Sequence, residues 1–180
     1  MSKFISREDH KQQQKLHETN RSYGTSGHKY AEKVCGLMQE HNCQSLLDYG
    51  CGKDTLRTAL VALGVPAHIL FAYDPAIPER AWFPPTPIDF ITCTDVLEHV
   101  EEDYLDSVLA DIKARGRYFF FVISGRPAVK NLPDGRNAHI TLHNFGWWWS
   151  RLEAAGFENI LVNCKAQKEE YTFFMRRAAE

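Results

Sequence analysis

No Cys-x-x-Cys pair occurs anywhere in the 180-residue chain. The five cysteines, Cys35, Cys43, Cys51, Cys93 and Cys164, are odd in number and widely spaced. That pattern argues against a disulfide framework and a structural zinc site, and for free thiols in a reducing compartment. Long apolar runs are lacking as well. The longest, Tyr118 to Ile123, is far too short to span a bilayer. No apolar targeting segment opens the sequence, so the expectation is a cytoplasmic protein with no membrane partner. Charge of one sign is missing too. The 21 Lys and Arg against 23 Asp and Glu leave a net charge of −2, too little basic excess to draw the whole molecule onto nucleic acid. Internal repeats and long linkers are absent.

What is present is an ordinary globular composition, 44% hydrophobic and 24% charged, of a length suited to one core. The polar stretch from about Arg7 to Glu18 reads as a helix capped by Ser6. Ser26 stands as the cap of a second helix running to about Glu40, with Tyr30, Val34, Leu37 and Met38 on one face. Strands then alternate with helices. Ser45 to Tyr49, Ala67 to Tyr73, Ile88 to Cys93 and Tyr118 to Ile123 read as strands. Asp54 to Leu63, Glu102 to Ala114 and Asn144 to Ala155 read as helices. The strands are apolar on both sides, which belongs to a parallel sheet covered on both faces. Phe157 to Asn163 and Tyr171 to Arg176 are joined by a connection too short for a parallel crossover, so they form an antiparallel hairpin.

Five of the eight prolines fall between Pro75 and Pro87. Such density cannot continue a helix, so this crossover is an extended loop with no room for another strand.

The most informative stretch is Leu46-Leu47-Asp48-Tyr49-Gly50-Cys51-Gly52-Lys53-Asp54. A buried strand runs into a Gly-x-Gly turn and a helix start, where backbone N–H groups can approach a ligand without a Cβ in the way. A dinucleotide fingerprint would need a third glycine at position 55, which is Thr. A P-loop would need Ser or Thr after Lys53, which is followed by Asp54. One unit later, Asp74 ends the second strand, where a carboxylate can accept both hydroxyls of a ribose.

These residues, followed by Ile88-Asp-Phe-Ile-Thr-Cys-Thr-Asp-Val-Leu-Glu-His-Val100, resemble the class I S-adenosyl-L-methionine-dependent methyltransferases from Ser45 to the C-terminus. The resemblance implies a three-layer αβα Rossmann-like fold with a mostly parallel sheet, a C-terminal antiparallel hairpin and, given the proline-rich crossover, no third strand. It divides the chain into an N-terminal arm or lid, residues 1–43, and a methyltransferase domain, residues 44–180. It implies that Asp48, Gly50, Cys51 and Gly52 hold the methionine part of the cofactor. Asp74 and Pro75 would meet the ribose, and Cys93, Thr94 and Asp95 would lie near the adenine. Ile77, Trp82 and Phe83 are candidates to cover that ring. Asp54 departs from the small residue usual in the family, and helix capping is the simplest account of it.

From Asp89 to Asp111 the chain carries eight carboxylates and no Lys or Arg. Glu101, Glu102 and Asp103 suit a helix start. His99 is the candidate proton acceptor. Three readings of its surroundings stand side by side: structural, acid–base, and metal-binding. The last arises because Asp95-x-x-Glu98-His99 resembles an element of metal-dependent small-RNA 2′-O-methyltransferases, with His139 or His143 as the further ligand. The loop from Ser124 to His139 and the N-terminal arm form a locally basic rim. Tyr23, Arg126, Arg136 and His139 are its candidate substrate-binding residues, suited to a phosphate-bearing, carboxylate or nucleic-acid acceptor. In Gly146-Trp147-Trp148-Trp149, helix geometry prevents all three rings from facing one core. A methyltransferase acting on an oxygen or nitrogen nucleophile is the expected activity; a non-catalytic cofactor-binding partner subunit and a metal-dependent RNA ribose 2′-O-methyltransferase are the alternatives.

Overall fold

The computed structural model describes residues Phe4–Pro85 and Pro87–Ala179. α1 (Arg7–Thr19) starts at Ser6, whose side chain accepts from the Asp9 N–H. A 3₁₀ turn (Ser26–Tyr30) leads into α2 (Ala31–Glu40). Ser26 is therefore not a helix cap: the chain tightens into the 3₁₀ turn first, and neither it nor α2 has a side-chain cap. There follow β1 (Leu46–Tyr49), α3 (Thr55–Ala62), β2 (Leu70–Tyr73), β3 (Ile88–Thr94), α4 (Glu102–Arg115), β4 (Gly116–Ser124), α5 (Phe145–Ala154), β5 (Phe157–Lys165) and β6 (Glu170–Arg177).

The six strands form one sheet in the order β2-β1-β3-β4-β6-β5. The first four are parallel; β6 runs antiparallel to both β4 and β5. Alternation along each strand sends side chains to two cores. Leu47, Ile91, Phe119, Phe121 and Phe173 meet α4 and α5 on one face. Leu46, Phe90, Phe120, Val122 and Phe174 meet α2 and α3 on the other. The three consecutive phenylalanines of β4 thus serve both layers of a buried central strand. Of the three tryptophans of α5, only Trp148 is wholly buried. Trp147 stacks on His143 with ring centroids 3.7 Å apart, and Trp149 packs against Phe145 and Phe173.

The proline-rich crossover contains one 3₁₀ turn (Pro78–Arg80) and, among the described residues, no strand. It curls back so that the Asp74 N–H donates to the Arg80 carbonyl at 3.0 Å. The sheet therefore ends at β2. Asp54 is not a capping residue either. It precedes α3 in the left-handed region, φ 63°, makes no side-chain cap bond, and faces Arg57 and Arg80 at 3.8 and 3.7 Å.

Candidate active site

Parallel strands leave a crevice at their carboxyl ends. Here a cavity of about 450 Å³ opens there, bounded by the turn after β1, the end of β2, the turn after β3, the loop after β4, and α1. That volume falls within the range of small-molecule sites.

The glycine turn is held by its neighbours. Gly50 and Cys51 N–H both donate to the Tyr73 carbonyl, at 2.8 and 3.1 Å. Gly52 N–H donates to Asp74 Oδ2 at 2.9 Å, and Lys53 N–H to the Gly24 carbonyl at 2.7 Å. These donors stabilise the turn itself rather than standing open in a cradle. What glycine supplies is close approach. A Cβ on Gly50 would sit 2.4 Å from a Val96 methyl, and one on Gly52 would sit 2.5 Å from the Gly24 oxygen. Both residues also have positive φ.

Asp74 is buried, with Oδ1 accepting from the Ala76 N–H at 2.9 Å and Oδ2 from Gly52. A carboxylate has about four lone-pair sites; two remain for a ligand in the cavity that Asp74 lines. A vicinal diol fits that acceptor pair. Gly50, Pro75 and Asp95 line the same cavity. Asp48, Cys51 and Thr94 do not. Asp48 lies beneath the turn, accepts from Thr92 Oγ1 at 2.8 Å, and is pushed up to about 7 by burial. Cys51 and Thr94 are packed into the interior, where burial raises the Cys51 thiol.

The candidate adenine covers are elsewhere. Phe83 stacks on Tyr73 with centroids 3.8 Å apart and lies under Arg115 of α4, against the α4-side core. Trp82 is largely exposed, and neither it nor Ile77 lines the cavity. Ala76, Val100 and the N-terminal Phe4 and Ile5 supply apolar wall instead.

His99 sits in the turn after β3. Its Nδ1 lies 2.7 Å from the Ala138 carbonyl, which can only accept, so Nδ1 carries the proton and Nε2 is left as an acceptor. Burial, then the neighbouring His139 and His17, push its pKa down to about 3. The His139 ring packs edge-on at 4.7 Å, with Nδ1 committed to the Arg126 carbonyl at 2.6 Å. Tyr23 donates to Gln13 Oε1 at 2.7 Å and its hydroxyl lies 3.4 Å from His99 Nδ1.

The Asp95, Glu98, His99 and His139 set is not gathered as a metal site. Glu98 is wholly buried, and its Oε1 is spent on the Ser124 N–H at 3.0 Å. Both histidines use Nδ1 on backbone carbonyls. Among the described residues, no three His, Cys, Asp or Glu are grouped to hold a metal ion. His143 stands away with Glu102, 3.0 Å off. Burial holds Glu98 well above the usual carboxylate range and raises Asp95.

On the acceptor side, Tyr23, Arg126 and His139 line the cavity, while Arg136 does not. Its guanidinium bridges Asp134 and the buried Asp9 of α1, tying the β4 loop to the arm. Sequence reasoning missed Gln13 and His17, which face the cavity from α1. Their four-residue spacing was the available signal.

A family model described as a methyltransferase domain matches residues 10–162. The chain belongs to that family. Among curated proteins, this methyltransferase is 30% identical over 115 residues to the mitochondrial ubiquinone biosynthesis O-methyltransferase of Schizosaccharomyces pombe. The match covers 49% of this chain and 42% of that one, so less than half of the relative's length is spanned. The Burkholderia thailandensis 1,6-didemethyltoxoflavin-N1-methyltransferase, solved with bound 1,6-didemethyltoxoflavin and S-adenosylhomocysteine, superposes with a TM-score of 0.65 at 15% identity, over 92% of this chain and 85% of that one. The Synechocystis PCC 6803 magnesium protoporphyrin IX methyltransferase with bound S-adenosylhomocysteine gives 0.57 at 14% identity, over 84% and 83%. These likenesses show the Rossmann-like methyltransferase fold, with its antiparallel C-terminal strands. Among the described residues, no helix is long and apolar enough to cross a membrane.

Proposed function

We propose that this methyltransferase uses S-adenosyl-L-methionine to methylate an oxygen or nitrogen of a small anionic acceptor. The observation that carries the reading is one cavity joining a diol-accepting carboxylate, Asp74, to a neutral imidazole, His99. The donor would supply a methyl group made electrophilic by its sulfonium. Asp74 would hold the ribose hydroxyls, and Gly50 and Gly52 would let the chain approach closely. His99 Nε2 would accept a hydrogen bond from the attacking group and orient its lone pair. So weak a base does not ionise the nucleophile beforehand; it takes the proton after bond formation has made that proton acidic. Orientation and exclusion of water are the protein's remaining contributions.

Four cations, Lys29, Arg126, Lys130 and Lys168, line the mouth, and among the described residues none is ion-paired. They support an acceptor bearing a phosphate or carboxylate. In this reading residues 1–43 act as the lid over the domain formed by residues 44–180. Five free thiols, four of them buried, support the cytoplasm as its compartment.

Thermal unfolding with S-adenosylmethionine and S-adenosylhomocysteine tests the reading. A ligand at about 100 times its Kd should stabilise the fold by about 2.7 kcal/mol. Asp74→Asn should abolish most of the shift. No shift with either compound at millimolar concentration overturns the proposal. A shift without turnover of any phosphorylated or carboxylated acceptor would instead favour a cofactor-binding partner subunit.

A further inference from the structure

α1 turns a polar face inward. Asp9, Gln13 and His17 recur every fourth residue and so lie on one side of the helix. That side is buried: Asp9 is 2% exposed, Gln13 7%, and the His17 side chain 10%. Surface helices normally dock through an apolar stripe, yet Leu16 is the one apolar residue of α1 that is buried. Each of the three residues has a buried polar atom without a partner. Gln13 Oε1 accepts from Tyr23, while Nε2 has no acceptor. His17 Nε2 stands 3.9 Å from Asp74 Oδ2, while Nδ1 has no partner. Asp9 is held by Arg136 through one oxygen only. Leaving buried polar atoms unsatisfied is destabilising, and two of these residues, Gln13 and His17, line the cavity.

We propose that Gln13 and His17 form a second polar wall of a nucleoside subsite, facing the wall that Asp74 provides. The two Gln13 N–H groups donate to hydroxyl or ring-nitrogen acceptors of the nucleoside, and His17 offers its free ring nitrogen. A nucleoside is the fitting class because His17 already faces the carboxylate suited to a sugar diol. Phe4 and Ile5, just before α1, add apolar wall suited to a base. The assignment rests on reading the cavity as the cofactor site. It also makes α1 a clamp, anchored by Ser6 N–H on Glu101 Oε2 at 2.7 Å and by Lys53 Nζ on the His17 carbonyl at 2.7 Å.

The test is calorimetric titration with two probes, S-adenosylhomocysteine and 5′-methylthioadenosine; the second keeps the nucleoside and lacks the amino-acid tail. Gln13→Glu preserves shape and the Tyr23 bond while removing both donors. Gln13→Met and His17→Phe remove polarity, so at least one folded variant should be in hand. Each should weaken both probes by roughly two- to tenfold. Variants that bind both probes as tightly as the wild type, while Asp74→Asn loses them, overturn this inference and leave the cofactor reading intact. Loss confined to S-adenosylhomocysteine overturns the nucleoside assignment. A wild type that binds neither probe removes both readings.

Discussion

The His99 imidazole donates through Nδ1 to the Ala138 carbonyl across 2.7 Å, which joins the turn after β3 to the loop after β4. One contact therefore fixes the ring's tautomer, its orientation and the position of the acceptor-side loop. Burial of the ring outweighs that bond, which by itself favours the charged form, and lowers the His99 pKa to about 3. An unfolded histidine titrates near 6.5, so between those values the unfolded state binds a proton that the folded state refuses. Stability is complete above about pH 6.5 and is lost as pH falls toward 3. Between pH 6.5 and 5 the loss should be on the order of 1–2 kcal/mol. Urea unfolding across that range, compared with His99→Gln, measures it. Equal slopes for the two proteins would show that His99 is not held neutral.

Asp48 works in the opposite direction. Burial raises its carboxyl to about 7, against about 3.9 when unfolded. Between those values the folded state holds the extra proton, so this contribution is present at low pH and is lost as pH rises toward 7. Asp48→Asn keeps an acceptor for Thr92 and cannot ionise. It should be more stable than the wild type at pH 8, by about 1–3 kcal/mol, and nearly equal to it at pH 4. A variant less stable at both pH values would mean that the ionised carboxylate is itself required.

The sheet was readable because its strands carry apolar residues on both sides and its Gly-x-Gly turn and Asp74 stand at strand ends. The absent third strand was readable from proline. The polar face of α1 was not, because a helix with Gln, His and Asp every fourth residue looks solvated until something packs over it. Nor could Arg136 be matched with Asp9, 127 residues away in sequence. Position 136 was basic and in the rim loop, which is also what a substrate-binding residue looks like. Phe83 lies in a loop without periodicity, and only the fold shows which side of β2 it covers.

Gly52 and Gly24 are in contact, and the contact needs both to lack a side chain. Gly52→Ala would place a methyl 2.5 Å from the Gly24 carbonyl oxygen and hold alanine at φ +51°. The backbone strain alone costs about 1–2 kcal/mol. The clash should also release the Lys53 N–H to Gly24 bond and loosen residues 20–30. Hydrogen exchange should show faster exchange in that segment and at Lys53. Gly135→Ala is the control: its φ is +93° but its Cβ meets nothing within 4 Å, so it carries strain without a clash. Matching exchange in the two variants would assign the effect to backbone strain alone.

Phe83 takes over part of the work of the missing strand. It stacks on Tyr73, approaches Tyr49 at 6.0 Å, and lies 3.2 Å beneath the Arg115 guanidinium, which is itself paired with Asp111 at 2.8 Å. The ring thus closes the edge of the α4-side core where the sheet stops at β2. Phe83→Ala should remove the aromatic and cation–π contacts and open space beside Tyr73, at a cost of about 1–3 kcal/mol, less than for a wholly buried phenylalanine because the ring is only partly buried. Because Phe83 does not line the cavity, affinity for S-adenosylhomocysteine should change less than about fivefold under conditions where the variant is folded, taking a hydrogen bond's worth of about 1 kcal/mol as the threshold for a direct contact. Urea unfolding and ligand titration on the same protein separate the two effects. A large loss of affinity with little loss of stability would put the ring back among the cofactor contacts and make the edge-closing role secondary.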